Sequence, residues 1–219
     1  MCASKKIIAV ILSLITLLSL ISCEVDREYD EDEVITAARE LVERSYSVNE
    51  LLWGEGLEFG EDGVGVYKAA TSDSLKKYGI DSVEDMKNKV REVYSSSYSE
   101  KIFTSDIFTS VKIDNVIKGY ARYSQKYGEN DEPTELLVRT DYDFSLKGSY
   151  VYKDVFEVVD VEGEIIVISA TVTATSHTGK TKDISCELRL IEEQSGWRLV
   201  SPSYVVYNEY TDIYEDLNK

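Results

Sequence analysis

The chain has 219 residues, with 24 Lys and Arg against 41 Asp and Glu and a formal net charge of −17. That length suits one domain with its own hydrophobic core, and no repeat or proline-rich linker divides it, since Pro133 and Pro202 are its only prolines. So acidic a surface repels phosphate backbones and anionic headgroups, which argues against nucleic acid as a partner and against direct lipid binding by the folded part.

In chain order, Lys5 and Lys6 precede an apolar run from Ile7 to Ile21, broken only by Ser13, Thr16 and Ser19. This has the form of a secretory signal, and its fifteen residues fall short of the roughly 20 that a membrane-spanning helix needs. The run ends on Leu20-Ile21-Ser22-Cys23, which resembles the bacterial lipobox. The resemblance implies a diacylglyceryl group on the Cys23 thiol and removal of residues 1–22 as signal peptide. Two or more acyl chains would then hold the protein stably on the extracytoplasmic face of the cell membrane. Loss of the two signal lysines leaves 22 basic against 41 acidic residues, a net charge of −19. Cys2 leaves with the signal and Cys23 carries lipid, so Cys186 stands alone and reads as a small buried hydrophobe.

Residues 23–32 read as an acidic spacer, because Glu24, Asp26, Glu28, Asp30, Glu31 and Asp32 face a single cation, Arg27. A single α+β domain is expected over 33–210, with a C-terminal tail over 211–219. Val34, Ala37, Ala38, Leu41, Val42, Ser45, Val48 and Leu52 have the spacing of one face of a long helix that ends at Trp53-Gly54. Five glycines between Gly54 and Gly65, interleaved with carboxylates, predict a turn-rich loop. The loop lacks the alternating Asp/Asn pattern of a calcium site and the GK[ST] of a phosphate cradle.

Val66–Ala70 reads as a short strand, and Tyr78-Gly79 as the end of a turn. Ser82 and Asp85 resemble a capping box that opens a second helix, with Val83, Met86, Val90 and Val93 inward. Ser97 and Glu100 form a similar pair ahead of a shorter helix through Phe103. The period then changes to alternation, with strands expected over 120–126, 136–144, 151–159, 166–174 and 184–190, and a last one starting at Trp197-Leu199. Three helices on one side of such an antiparallel meander give an α+β layer architecture.

This order of long helix, glycine-rich turn, short strand, helix pair and curved antiparallel sheet resembles the cystatin-like cone of the ketosteroid-isomerase and nuclear-transport-factor families over roughly residues 33–207. Trp53-Gly54-Glu55-Gly56-Leu57 and Gly196-Trp197-Arg198-Leu199-Val200-Ser201-Pro202 are similar to stretches in lipoproteins of Gram-positive anaerobes. A weaker similarity is to secreted inhibitors of cell-wall endopeptidases. The cone resemblance implies a pocket between helices and sheet, with Trp53, Tyr67 and Tyr142 as candidate cleft residues.

Catalytic residues are not assigned. An isomerase-type site needs a desolvated Asp base and an aimed Tyr donor, yet Tyr142 has the apolar parity of its strand while Asp141 and Asp143 have the other. His177, the only histidine, sits beside a hairpin glycine and reads as a solvated turn. One His without clustered Cys leaves no zinc site, and no G-x-S-x-G occurs. The sixteen tyrosines fit either half-buried strands or a contact surface for a cell-wall component or envelope protein. The expected function is that of a lipid-anchored, non-catalytic binding domain without cofactor. The alternatives are a modulator of cell-wall hydrolases and a small-ligand pocket protein or enzyme.

Overall fold

The structure, a computed structural model, describes residues 29–113, 116–145, 147–208 and 213–215. Cys23, the signal peptide and most of the spacer lie outside them. Residues 31–219 form one compact unit with an α+β fold, in which an N-terminal helix packs against antiparallel sheet.

Helix α1 runs over Glu31–Trp53 and starts on three acidic residues, Glu31, Asp32 and Glu33, which suit the positive end of a helix. Two residues predicted as spacer therefore belong to the helix. Its buried residues are Val34, Ala38, Leu41, Val42, Ser45, Val48, Asn49, Leu51 and Leu52, which is the predicted stripe with Asn49 and Leu51 added and Ala37 only half-buried.

The glycine-rich stretch holds more structure than a loop. Phe59–Val64 forms strand β1, pairing antiparallel with β2 (Tyr67–Ala70) across a turn at Gly65. Period 2 is invisible there because every residue of β1 is exposed. Helix α2 (Ser72–Tyr78) follows where only a turn was expected, capped by Thr71 and closed by Gly79 in the left-handed conformation at φ 60°. Helix α3 (Val83–Val93) begins at Ser82 as predicted. Helix α4 (Ser96–Thr104) begins at Ser95 and not at Ser97, the Ser95 hydroxyl accepting from the Tyr98 N–H.

At the start of α3, Asp85 N–H donates to Ser82 Oγ at 3.1 Å while the Asp85 carboxylate accepts from Ser82 Oγ and the Asp81 N–H. These bonds, the Ser82 hydroxyl first, hold the Asp85 carboxyl below its ordinary range. A depressed folded-state value means that the stabilisation is present above the unfolded carboxylate range and is lost as pH falls through the folded value. Asp85→Ala is therefore expected to lower the thermal midpoint at neutral pH, with the gap to the parent closing on acidification. A gap that persists in acid would sink this account.

Strands β3 (Val111–Ile113) and β4 (Val116–Gly119) pair as a hairpin that the sequence pattern does not announce. Strands β5 (Tyr123–Tyr127) and β6 (Pro133–Arg139) join the first hairpin in a sheet of order β1-β2-β6-β5. Strand β6 stops at Arg139, so Tyr142 and Phe144, expected on it, lie in an irregular segment. The second sheet is a meander of β7 (Ser149–Glu162), β8 (Ile165–Thr175), β9 (Thr181–Glu193) and β10 (Gly196–Leu199), in the order β10-β9-β8-β7. Eight of the strands thus divide between two four-stranded sheets and do not form one continuous meander. Val206–Asn208 (β11) pairs with Ile213–Glu215 (β12), which lies in the stretch expected to be tail.

One face of the second sheet carries the core. Ile166, Ile168, Ala170, Val172 and Ala174 of β8 are buried with Ile184, Cys186, Leu188 and Leu190 of β9, whereas Ser169, Thr171, Thr173 and Thr175 are half-buried. Each such aliphatic side chain contributes about 1.5–3 kcal/mol on full burial, so this face and the α1 stripe supply the main driving force. A parallel bridge between Tyr94 and Leu199, with Ser95 N–H donating to Leu199 O at 2.8 Å, ties the α3–α4 junction to β10.

Candidate functional site

Two polar clusters lie inside the domain, both organised by the second half of α1. The first is centred on Asn49, fully buried on the helix face that meets β7. Its Nδ2 donates to Tyr150 Oη at 2.7 Å and to Ser203 Oγ at 2.9 Å, and its Oδ1 accepts from the Tyr94 hydroxyl. Ser203 Oγ donates to Ser45 Oγ at 2.7 Å, and Ser45 Oγ donates to Val42 O at 2.7 Å. Tyr152 Oη donates to Ser203 O at 2.7 Å. Ser203 and Ser45 relay the chain, each hydroxyl taking a proton from one neighbour and giving one to the next.

Burial raises the ionisation of Tyr94, Tyr150 and Tyr152 well above the ordinary phenol range. The phenols therefore stay protonated at neutral pH, Tyr94 and Tyr152 donating and Tyr150 accepting from Asn49, and none acts as a base.

The second cluster closes the helix. The α1 C-terminus leaves carbonyls without intrahelical partners and has no basic residue in its last turn. Arg122 and Tyr123, at the start of β5, supply what is missing. Arg122 Nη1 donates to Leu52 O at 2.9 Å, Arg122 Nη2 to Gly54 O at 2.6 Å, and Tyr123 Oη to Leu51 O at 2.7 Å. Arg122 is only 2% exposed. Its guanidinium lies 5.2 Å from the Tyr123 ring centre and 4.8 Å from that of Tyr142, within cation–π range of both. Burial pushes the Tyr123 phenol up to about 12, against the opposing charge of Arg122.

Gly56 makes this approach feasible. Its φ is +76°, and a Cβ there would stand 2.2 Å from Tyr123 Oη and 2.3 Å from Arg122 Nη2.

The three candidate cleft residues separate into two places. Trp53 meets Tyr204 in a tilted ring contact at 4.9 Å and Tyr94 edge-on at 6.0 Å, on the side of the Asn49 cluster. Tyr142 and Tyr67 lie on the Arg122 side. The Tyr142 ring sits between Arg122 and Arg139, the latter at 6.0 Å, while Tyr67 Oη donates to Ala121 O at 2.7 Å and its ring meets Tyr120 edge-on.

Asp141 is exposed and paired with Arg139 at 2.6 Å, which holds its carboxyl below the ordinary range. Asp143 is exposed and pairs with Lys147 at 3.1 Å. Neither carboxylate has the desolvation that a general base of the isomerase type requires.

His177 is exposed, as a turn residue should be, and lines a groove of about 330 Å³ with Glu50, Glu55, Phe144, Lys147 and Gly148. Among the described residues no group of three or more His, Cys, Asp or Glu side chains is placed to hold a metal ion. In the same residues no helix is long and apolar enough to cross a membrane.

The sequence reading missed Asn49, Ser203 and Arg122. A polar residue on the apolar stripe is the one signal that points to Asn49, and nothing in its sequence neighbourhood marks Arg122 as buried. Comparison with known proteins adds no assignment, since no family model and no curated protein matches the chain.

Proposed function

We propose that the chain is a lipid-anchored protein of the extracytoplasmic membrane face whose folded domain docks an envelope or cell-wall partner without catalysis. The observation that carries the reading is the short distance along the chain from Cys23 to the fold. Helix α1 starts at Glu31, so the tether spans at most about 28 Å when fully extended. A domain held that close to the membrane, with a net charge of −19 once residues 1–22 are removed, stands off anionic lipid and offers itself to what lies beyond.

Docking at a surface is favoured over binding beside α1, because the hydroxyls of Tyr94, Tyr150 and Tyr152 are already engaged with Asn49 and Ser203 inside the domain.

The test is membrane fractionation with mass measurement. The parent protein is expected in the membrane pellet carrying the diacylglyceryl mass, and Cys23→Ala in the soluble fraction without it. A Cys23→Ala protein that stays in the pellet ends the lipid-anchor reading.

A further inference from the structure

Strand β7 ends the second sheet and, among the described residues, pairs with β8 alone. Helix α1 covers its first half. Tyr46 Oη accepts from the Tyr152 N–H at 2.9 Å, Arg39 Nε donates to the Asp154 carboxylate at 2.6 Å, and the Arg39 guanidinium lies 5.7 Å from the Phe156 ring centre. Among the described residues, no strand pairs with the outer edge of the second half.

Val155, Val159 and Val161 are 62, 50 and 39% exposed there. They alternate with the exposed carboxylates Glu157 and Asp160, and the hairpin that follows adds Glu164. Register steps between Tyr152 and Phe156 and between Val158 and Asp160 mark bulges, which blunt an edge against indiscriminate pairing. The lysine or proline that usually reinforces such protection is missing, for residues 155–164 contain no cation and no proline.

We propose that the outer edge of β7 from Val155 to Glu162 docks an extended basic segment of another protein, which adds to the sheet as a short strand. Its apolar residues cover the valines, and its Lys or Arg residues meet Glu157, Asp160 and Glu164. Charge decides the occupant. A second copy of this chain would set the same carboxylates against each other, which is unfavourable across paired strands, whereas a basic segment neutralises them. The bulge at Val159 leaves few regular ladder positions on either side, so the contact depends on charge and valine cover and is reversible.

The inference rests on the reading of the domain as a docking module and does not depend on the lipid. The test uses the full chain in detergent micelles and fluorescence anisotropy of a labelled peptide of alternating Lys and Val. Its Glu/Val counterpart and a version with a central Pro serve as comparisons. The Lys/Val peptide is expected to bind, and the other two about tenfold more weakly or worse. The double variant Val155→Lys/Val159→Lys, at exposed positions, is expected to lose about tenfold in affinity with an unchanged melting curve. Val64→Lys, in the β1–β2 hairpin, is expected to change nothing.

Glu157→Lys/Glu164→Lys is expected to reverse the preference toward the Glu/Val peptide, which keeps the test open if the valine variant does not fold. Equal binding of both peptides, or valine and charge variants that bind like the parent, overturns the proposal. So does self-association of the parent that the valine variant abolishes, which would make a second copy the occupant. Because Cys23→Ala reports on the anchor alone, failure of the edge and failure of the tether are read separately.

Discussion

Arg122→Met is expected to destabilise the domain by about 2–4 kcal/mol, read as a lower urea midpoint at unchanged slope. The guanidinium donates to Leu52 O and Gly54 O in a site where Arg122 is 2% exposed, so removing it leaves two buried carbonyls of the α1 end without donors. Each such group costs about 1–3 kcal/mol in lost hydrogen bonding. Loss of the Tyr123 and Tyr142 ring contacts adds to this. The estimate stays below the simple sum because methionine no longer requires a charge to be kept out of water. Lysine is not expected to rescue, since an ammonium on a flexible stem cannot reproduce the fork that spans two carbonyls. A variant within about 0.5 kcal/mol of the parent would show that water replaces the guanidinium and that the cap is not a source of stability.

Asn49→Leu has the second large expected effect, about 2–4 kcal/mol in the same measurement. Leucine keeps the branched outline of asparagine but is larger, so overpacking of the fully buried site adds to the cost of the lost hydrogen bonds. Tyr94 Oη loses its acceptor, while Tyr150 Oη and Ser203 Oγ lose their common donor. The cluster should behave as a unit. Tyr94→Phe is expected to cost less in the Asn49→Leu background than alone, because its hydroxyl is already orphaned there. Additive costs in the double mutant would mean that the hydroxyls are satisfied independently, by water or by one another.

The two clusters also show where local pattern stops being informative. The α1 stripe and the Ser82 cap were legible because a period of 3.6 residues and a side chain bonding three residues on are properties of the local chain. The alternation in β8 and β9 was legible because one face of each is buried and the other is wet. Strand β1 failed this test, having no buried face to imprint a period. Tyr142 was assigned to a strand on parity alone, but β6 ends at Arg139, where Thr140 N–H turns to Val66 O and Arg139 pairs with Asp141.

The candidate cleft residues rest on residue type and expected position in the chain. The Trp53 ring meets Tyr204 and Tyr94, whereas Tyr142 meets Arg122 and Tyr67 bonds Ala121, partners that lie far from Trp53 in sequence.

By itself the sequence determined the α+β class, the long first helix and its buried stripe, the β8 to β10 meander, and the lipobox-like Leu20-Ile21-Ser22-Cys23 on which the anchor proposal rests. These depend on neighbours within a few residues, or on a motif that other molecules read before the chain folds. Only the tertiary structure decided that eight of the strands divide into two four-stranded sheets, that Arg122 closes α1 from about 70 residues away, and that Asn49 gathers Tyr94, Tyr150 and Ser203. The physical reason is the same in each case. An unsatisfied carbonyl or amide takes whichever donor or acceptor packing brings to it, and sequence distance does not enter that choice.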